Sequence, residues 1–205
     1  GLSMYALILS VALAAVSPAI EDAQIANAEA ALTGKDVKPN PLTLAGSRAR
    51  VEKGVLLLTL DDGKTVRLGN GCTVTEDGTC ATYTLSAFLP SHGVFVVEKV
   101  EDENYDIIVI EMANGKQHTV DGPPHYTPDG KRFATCRVDE MNGGGTRVWR
   151  VAPGRYVQEF ADDRMSVCGN WKDDDTFVLG VYPAEPSGKP RPMTLTHKGD
   201  AWQLR

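Results

Sequence analysis

The feature that most constrains the fold is a β-hairpin pattern that recurs four times along the chain. Each copy joins two β-rich runs through a short turn that contains glycine. The turns follow one another at roughly 40 to 50 residues, a spacing typical of repeat architectures. Two of them carry Asp-Gly or Asn-Gly, which are strong hairpin dipeptides because these residues adopt a positive φ at little cost. The turn glycines are Gly63, Gly115, Gly154 and Gly199.

A second pattern precedes three of these hairpins. It consists of a strand end, a turn of Pro, Asp, Ser or Gly, and a β-rich run with a phenylalanine near its start. Together the two patterns give about four strands in each repeat of about 40 residues, which is the signature of a β-propeller blade. The three copies are LPSHGVFVVE at 89–98, YTPDGKRFAT at 126–135 and WKDDDTFVLG at 171–180, with the phenylalanines Phe95, Phe133 and Phe177.

One of these phrases resembles a known family. YTPDGKRFAT is similar to the SPDGKRLAF phrase of bacterial TolB-type and WD40-like propellers. The longer run from Tyr83 through DGPPHYTPDGKRFATC to RVWRV and NWKDDDTF resembles a group of small exported bacterial proteins. The resemblance covers about residues 45 to 205. It implies a propeller architecture and says almost nothing about function.

We therefore expect an all-β fold: a propeller-like array of about four short antiparallel blades, preceded by an N-terminal helix. The first blade is expected to be partial, because no convincing inner pair of strands precedes the hairpin at 55–68. Three arrangements remain open: a closed ring, an open curved stack, and a homodimer that hides exposed edge strands, which otherwise promote aggregation. The N-terminal helix is a candidate cover for such an edge. An antiparallel β-barrel or sandwich is the alternative fold.

The N-terminal segment has the features of an export signal. Residues 1–19 carry no charge, and Tyr5 to Val16 form an apolar run with the length of a signal-peptide core. Ser17-Pro18-Ala19 supplies small residues near a potential cleavage point. The run is shorter than the roughly 18 to 20 residues that a membrane span requires. We expect residues 1–19 to be a signal peptide or a retained apolar helix, and the protein to be periplasmic or secreted.

Residues 20–41 are expected to form a helix and a proline-containing linker. Ala, Glu and Gln dominate residues 20–34, and the apolar residues Ile20, Ile25, Ala28 and Leu32 recur among them at spacings of 3 to 5 residues. The two closely spaced prolines of the following KDVKPNP cannot continue a helix. From about Leu42 the apolar period changes to two, so we assign residues 42–205 to the propeller-like domain.

The chain contains four cysteines, and an even number in an exported protein predicts disulfides, with three connectivities to choose from. Cys72 and Cys80 bracket a polar stretch with a glycine turn, so a local closure is natural and leaves Cys136 to pair with Cys168. Zinc is the rival interpretation, but the sequence has no C-x₂-C pair and no histidine at ligand spacing. We therefore expect no metal and no cofactor.

The distribution of charge bears on the choice of partner. The net charge is −6 at pH 7, and acidic and basic residues are interleaved. This disfavours nucleic acid as a partner, because phosphate binding needs a concentrated basic face. An acidic surface suits a basic protein partner and equally suits plain solubility. A membrane partner is expected only if the N-terminal segment is retained.

The search for catalytic motifs is negative, since G-x-S-x-G, H-E-x-x-H, P-loop and G-x-G-x-x-G sequences are all absent. Inner strands of propellers and their turns line the channel and one face, where ligands usually bind. Histidine and aspartate there could do acid–base work, and an exposed tryptophan could bind a partner. The alternative is an ordinary polar rim. The candidate binding residues are His92, His125, Tyr126, Asp129, Trp171 and Asp173.

Three functions are compatible with these features. The first is an exported, non-catalytic protein that uses the turn face to bind another protein, one form being a periplasmic inhibitor or immunity protein. The second is a hydrolase or lyase whose catalytic groups converge on the channel face from several repeats. The third is a structural or assembly protein that uses its N-terminal helix. We expect the first, and no enzymatic activity.

Overall fold

The computed structural model of this chain describes residues 16–31, 40–69, 80–101, 104–139, 144–183 and 188–205. Most of the expected signal segment, the end of the first predicted helix, most of the linker, and Cys72 lie outside these residues. The helices are α1 (Pro18–Ala31) and α2 (Pro41–Ala45). The strands are β1 (Ala49–Glu52), β2 (Val55–Thr59), β3 (Thr65–Leu68), β4 (Thr82–Leu89), β5 (Val94–Glu101), β6 (Asn104–Glu111), β7 (Gln117–Val120), β8 (His125–Tyr126), β9 (Arg132–Arg137), β10 (Gly145–Ala152), β11 (Arg155–Asp162), β12 (Ser166–Asp173), β13 (Thr176–Val181), β14 (Arg191–Lys198) and β15 (Ala201–Leu204).

The strands form four antiparallel sheets, which we call blades A to D. Blade A contains β1 to β3, blade B β4 to β7, blade C β8 to β11 and blade D β12 to β15. Strands that follow one another in sequence are neighbours in each sheet. This confirms the predicted all-β, propeller-like array with a helix before it. It also confirms a partial first blade, since blade A has three strands among the described residues and each other blade has four.

The predicted turn glycines join the last two strands of each blade. All four have a positive φ, between 61° and 81°, as their hairpin turns require. The hairpin of blade A therefore corresponds to the third and fourth strands of the other blades. The strand that blade A lacks, within the described part of the chain, is the innermost one.

Apolar clusters lie between successive blades and contain the phenylalanines of the repeat pattern. Phe95 lies in the cluster between blades A and B, Phe133 in that between B and C, and Phe177 in that between C and D. Each of these rings is fully buried. Burial of such a side chain contributes roughly 1.5 to 3 kcal/mol. The repeated phenylalanine therefore marks the core between two blades.

The described array is an open stack in the order A, B, C, D. No apolar cluster among the described residues joins blade A to blade D. The expected homodimer through edge strands stays a prediction. None of the described helices is both long enough and apolar enough to cross a membrane.

Helix α1 covers the free edge of β4, the innermost strand of blade B. The side-chain amide of Gln24 donates to the carbonyl of Phe88 at 3.0 Å and accepts from the N–H of Phe88 at 2.8 Å. It thereby satisfies two backbone groups that a neighbouring strand would otherwise bond. Of the predicted apolar set, Ile25 and Ala28 are buried, Ile20 is exposed, and Leu32 lies outside the described residues. The helix begins at Pro18, slightly before the predicted start at residue 20.

A short helical segment, which sequence reasoning missed, precedes the first strand. Residues 41–48 form α2 and a 3₁₀ turn, so β structure begins at Ala49 and not near Leu42. The side chain of Asn40 accepts a hydrogen bond from the N–H of Leu42 at 2.9 Å, and Pro41 follows as the first helical residue. Asparagine followed by proline is a helix start. The prediction placed Asn40 and Pro41 at the end of a linker and the residues from 42 onward in the β domain.

Candidate functional site

The candidate residues lie on or near three equivalent turns, each between the first two strands of a blade. We call the surface formed by these turns the turn face. Its turns connect β4 to β5 at 90–93, β8 to β9 at 127–131 and β12 to β13 at 174–175. Equivalent turns of neighbouring blades come close together, since the ring of His92 lies beside Gly130 and the N–H of Asp129 bonds Asp174. The sequence prediction grouped these residues because such turns line one face of a propeller.

His92 joins the turn of blade B to blade C. Its ring stacks on the ring of Tyr126, with centroids 4.0 Å apart and planes inclined by 9°. Nε2 of His92 lies 3.8 Å from a carboxylate oxygen of Glu21 in α1. Burial lowers the pKa of His92, although the charges of Glu21 and Asp22 act in the opposite direction. His92 is therefore a packed ring with a carboxylate nearby, not a free exposed side chain.

His125 lies between α1 and blade D. Nε2 of its ring is 2.7 Å from Oε1 of Glu29 in α1. Its backbone carbonyl accepts a hydrogen bond of 2.8 Å from Nε1 of Trp171 in β12. The ring also faces Phe177, with a centroid distance of 6.1 Å. His125 therefore connects three parts of the fold: the helix, blade C and blade D.

Trp171 does not have the exposed position that the sequence predicted. Its ring is partly buried and packs on Phe177 and Trp202, with centroids 4.8 Å and 6.0 Å away. Its indole N–H is already used by the carbonyl of His125. The sequence placed Trp171 before a turn, but it could not show that the indole bridges two blades. Trp171 therefore positions blade D against blade C.

The turns of blades C and D are joined by aspartates. The N–H of Asp129 donates to Oδ1 of Asp174 at 2.9 Å, across the gap between the blades. Burial acts to raise the pKa of Asp129, but hydrogen bonds from Lys131 and Thr127 together with nearby positive charge lower it overall. Asp173, the predicted candidate, instead accepts from the N–H of Asp175 within its own turn. The residue that reaches blade C is the next one, Asp174.

Sequence reasoning missed the polar residues of α1 that contact the turn face. Glu21 is only 2% exposed and accepts from the backbone N–H of Ser91 at 3.0 Å and from its hydroxyl. Gln24 is fully buried on Phe88, and Glu29 meets His125. These partners lie far apart along the chain, so no local pattern indicates them. The turn face is therefore partly covered by α1, which is a component of the surface.

The cysteine prediction is confirmed where it falls within the described residues. Cys136 of β9 and Cys168 of β12 form a disulfide that links blades C and D. Cys80 is also disulfide-bonded, while Cys72 lies outside the described residues. Donor atoms of Glu29, His125 and Cys168 all lie within 4.8 Å of one another. With Cys168 oxidised, its sulfur is not a thiolate, so these three side chains are not a metal site in this form.

Neither histidine of the turn face lines the cavity found between blades B and C. That cavity has a volume of about 290 Å³ and is lined by the outer strands, including Lys116, His118, Trp149 and Tyr156. The turn face itself is a surface of carboxylates and packed aromatic rings. Such an arrangement offers charge and shape to a macromolecule more readily than it encloses a small substrate.

Comparison with known proteins does not identify a family for this chain. No family model matches the chain, and no curated protein matches it. One similar solved structure is the "putative TolB from Agrobacterium tumefaciens", with 14% sequence identity and a TM-score of 0.39. The similar region covers 74% of this chain and 59% of that one, so this chain spans less than two thirds of its length. We base the propeller-like architecture on the sheets described above and take no functional argument from this likeness.

Proposed function

We propose that this chain is an exported, non-catalytic binding protein that uses its turn face to hold another protein with a basic surface. The proposed location is the periplasm or the outside of the cell. One form of this function is an inhibitor or immunity protein that neutralises a toxin or a wall-degrading enzyme. The observation that carries the proposal is an acidic rim on the turn face, which we define as Asp129, Asp173, Asp174 and Asp175.

The charge of this rim favours a basic partner. Lys131 and Lys172 are the lysines within residues 127–131 and 172–175, and Nδ1 of His197 lies 3.2 Å from Oδ1 of Asp175. Lys131 is largely exposed, and its amine is 3.9 Å from the carboxylate of Asp129. Asp173 and Asp174 form no ion pair with a described residue. Uncompensated carboxylates at a surface steer a basic partner and favour the correct orientation on contact.

The rim is also held in place before any partner arrives. The bond from the Asp129 N–H to Asp174 joins the two turns, and the Cys136–Cys168 disulfide joins the blades beneath them. Trp171 adds a third connection through the carbonyl of His125. A preorganised surface loses less conformational entropy on binding, which favours affinity. We favour binding over the hydrolase or lyase alternative because the ring of His125 is paired with Glu29 of α1, and the indole N–H of Trp171 is used by the carbonyl of His125.

The experiment is affinity capture of basic proteins from a periplasmic and secreted extract. The bait is the parent chain, compared with a rim variant that carries Asp129→Asn, Asp173→Asn and Asp175→Asn. Asparagine keeps an acceptor oxygen for each turn hydrogen bond and removes the charge. Asp174 stays unchanged so that the connection between the blades remains. We expect the parent to retain one basic protein and the rim variant to retain at least about 10-fold less of it. Added salt should weaken this retention.

The matched control removes the same number of negative charges at positions away from the turn face. It carries Asp62→Asn, Asp163→Asn and Asp200→Asn, all in other turns. It should retain the partner as well as the parent does. Equal loss in both variants would show only a dependence on net charge and would refute the assignment to the turn face. Failure of the parent to retain any protein would refute the binding function.

A further inference from the structure

We propose that reduction of the Cys136–Cys168 disulfide creates a four-donor zinc site that joins α1, blade C and blade D. The four donors are the thiolates of Cys136 and Cys168, the imidazole of His125 and the carboxylate of Glu29. This inference is independent of the proposed binding function. It rests on the position of a histidine–carboxylate pair beside one sulfur of the disulfide.

Three of the donors already lie together. Oε1 of Glu29 and Nε2 of His125 are 2.7 Å apart. One donor atom of each of Glu29, His125 and Cys168 lies within 4.8 Å of the other two. Cys136 supplies the fourth donor because its sulfur is bonded to that of Cys168. Three donor atoms therefore lie close together, and the fourth is bonded to one of them; a tetrahedral zinc ion requires four. After reduction, movements of the side chains would have to bring the four donor atoms to ligand distances.

The chemistry of the set selects zinc. Thiolate and imidazole are the donors that Zn²⁺ prefers, and a carboxylate is an accepted fourth ligand. The surroundings are partly buried: the side chains of His125 and Glu29 are 13% and 24% exposed. The ligands come from four separate positions in the sequence. This explains why a search for ligand spacing along the chain did not find them.

The redox step that opens the site is an ordinary thiol–disulfide exchange. A thiolate of a dithiol reductant attacks Sγ of Cys168, which is partly exposed, and Cys136 leaves as a thiolate. The second thiolate of the reductant then attacks the mixed disulfide and releases Cys168. The reductant becomes a disulfide, and two electrons pass to the two cysteines. Zinc binding then requires both cysteines as thiolates, so any thiol protons are released to solvent.

Zinc would replace the covalent disulfide connection with a connection through metal ligands. The disulfide joins blades C and D but leaves α1 held by non-covalent contacts. The metal would join the same two blades through Cys136 and Cys168 and would also hold α1 through Glu29. A reduced, zinc-loaded chain is therefore expected to be more stable than a reduced, metal-free chain, because an ion that binds only the folded state stabilises it.

The test uses the full chain with Cys72→Ser and Cys80→Ser, so that only the relevant pair can supply thiolates. The protein is reduced with a phosphine, desalted without oxygen and titrated with Co²⁺, which reports ligand type and geometry by absorption. The expected result is one Co²⁺ per chain with the sulfur charge-transfer and visible bands of a tetrahedral site, displaced by Zn²⁺. The same protein with its disulfide intact should show neither band.

Two variants test the non-cysteine ligands, and a third provides a matched control. His125→Gln and Glu29→Gln should each weaken Co²⁺ binding by more than the roughly 10- to 100-fold typical of losing a supporting residue. The control, His118→Gln with Glu111→Gln, alters another histidine–glutamate pair with the same 2.7 Å separation and should bind as the parent does. Circular dichroism checks that each variant is folded. If His125→Gln does not fold, Glu29→Gln still provides the test.

Two outcomes would overturn the proposal. One is a reduced chain that gives no tetrahedral cobalt spectrum. The other is a spectrum that keeps its shape and affinity in Glu29→Gln and His125→Gln, because the cysteines alone would then explain it. As a second readout, Zn²⁺ should raise the melting temperature of the reduced parent and not that of Glu29→Gln.

Discussion

The junction between blades A and B and the junction between blades C and D hold similar sheets together in different ways. The A–B cluster has 13 buried residues among those described, all apolar. The C–D cluster has seven, and one of them is Cys136 of the disulfide. The C–D junction adds directional contacts, such as the buried hydroxyl pair of Thr146 and Ser166 at 2.7 Å and the bond from Trp171 to His125.

The difference indicates what each junction can do. Apolar burial is non-directional and tolerates small shifts, whereas a disulfide and paired polar groups specify one relative position. The C–D junction is also the one that carries the acidic rim. A surface meant to hold a partner gains from fixed geometry, so we connect the polar and covalent contacts of this junction with the proposed function.

The largest effect is expected at the A–B junction. Phe95→Ala should lower the free energy of unfolding by about 3 to 5 kcal/mol, because it removes a fully buried ring and leaves a cavity. Urea denaturation followed by circular dichroism measures this. Val51→Ala, at a side chain that is 52% exposed on β1, is the control and should change stability by less than about 0.5 kcal/mol. A loss below about 1 kcal/mol for Phe95→Ala would contradict the view that burial dominates this junction.

At the C–D junction, loss of the disulfide should lower the free energy of unfolding nearly as much as loss of the Phe95 ring. Its cysteines are 32 residues apart, so Cys136→Ala with Cys168→Ala should lower the free energy of unfolding by about 3 to 4 kcal/mol. The same denaturation experiment, run without reductant, gives the value. If this double variant were as stable as the parent, the disulfide would not hold the junction and the comparison would fail.

The next effect concerns the edge of β4 at the turn face. Gln24→Ala should lower the free energy of unfolding by about 1 to 3 kcal/mol, because the N–H and carbonyl of Phe88 lose their partner in a buried place. Gln117→Ala makes the same substitution at an exposed position and should be nearly neutral. Equal effects for the two variants would mean that α1 does not cover the edge.

The smallest effect is a pH dependence at the junction between blades B and C. Burial lowers the pKa of His92 in the folded state, so the unfolded chain takes up a proton at higher pH than the folded one. The free energy of unfolding should therefore fall as the pH drops below about 6.5, down to the lowered pKa. His92→Gln should remove part of this slope. An identical slope in the variant would show that His92 is not held neutral by its surroundings.

The sequence was most informative where a pattern repeats. The turn glycines and Phe95, Phe133 and Phe177 recur at equivalent places in each unit, because every blade needs the same turn and the same packing residue. The Cys136–Cys168 pair also followed once Cys72 and Cys80 were taken as a local closure. The turn and packing residues follow from local geometry, and the cysteine pairing follows by elimination. Both can therefore be predicted from the sequence.

The contacts of α1 could not be found in the same way. Gln24 forms hydrogen bonds with Phe88, 64 positions away, and Glu29 contacts His125, 96 positions away. Both contacts therefore depend on how the helix docks on the blades. The neighbouring aspartates of one turn also differ, since Asp174 reaches blade C while Asp173 bonds within its own turn. A pattern of residue types does not fix which of two adjacent side chains points across a gap.

The turn face is one preorganised surface, held by α1 and by blade D. Hydrogen exchange of individual amides, measured by NMR, tests it most directly. The N–H groups of Phe88, Ser91 and Asp129 should exchange slowly, because Gln24, Glu21 and Asp174 accept from them. Gln24→Ala should speed exchange at Phe88 and leave Asp129 unchanged. If all three amides exchange as fast as those of exposed turns, the helix and the blades do not form one surface, and the account is wrong.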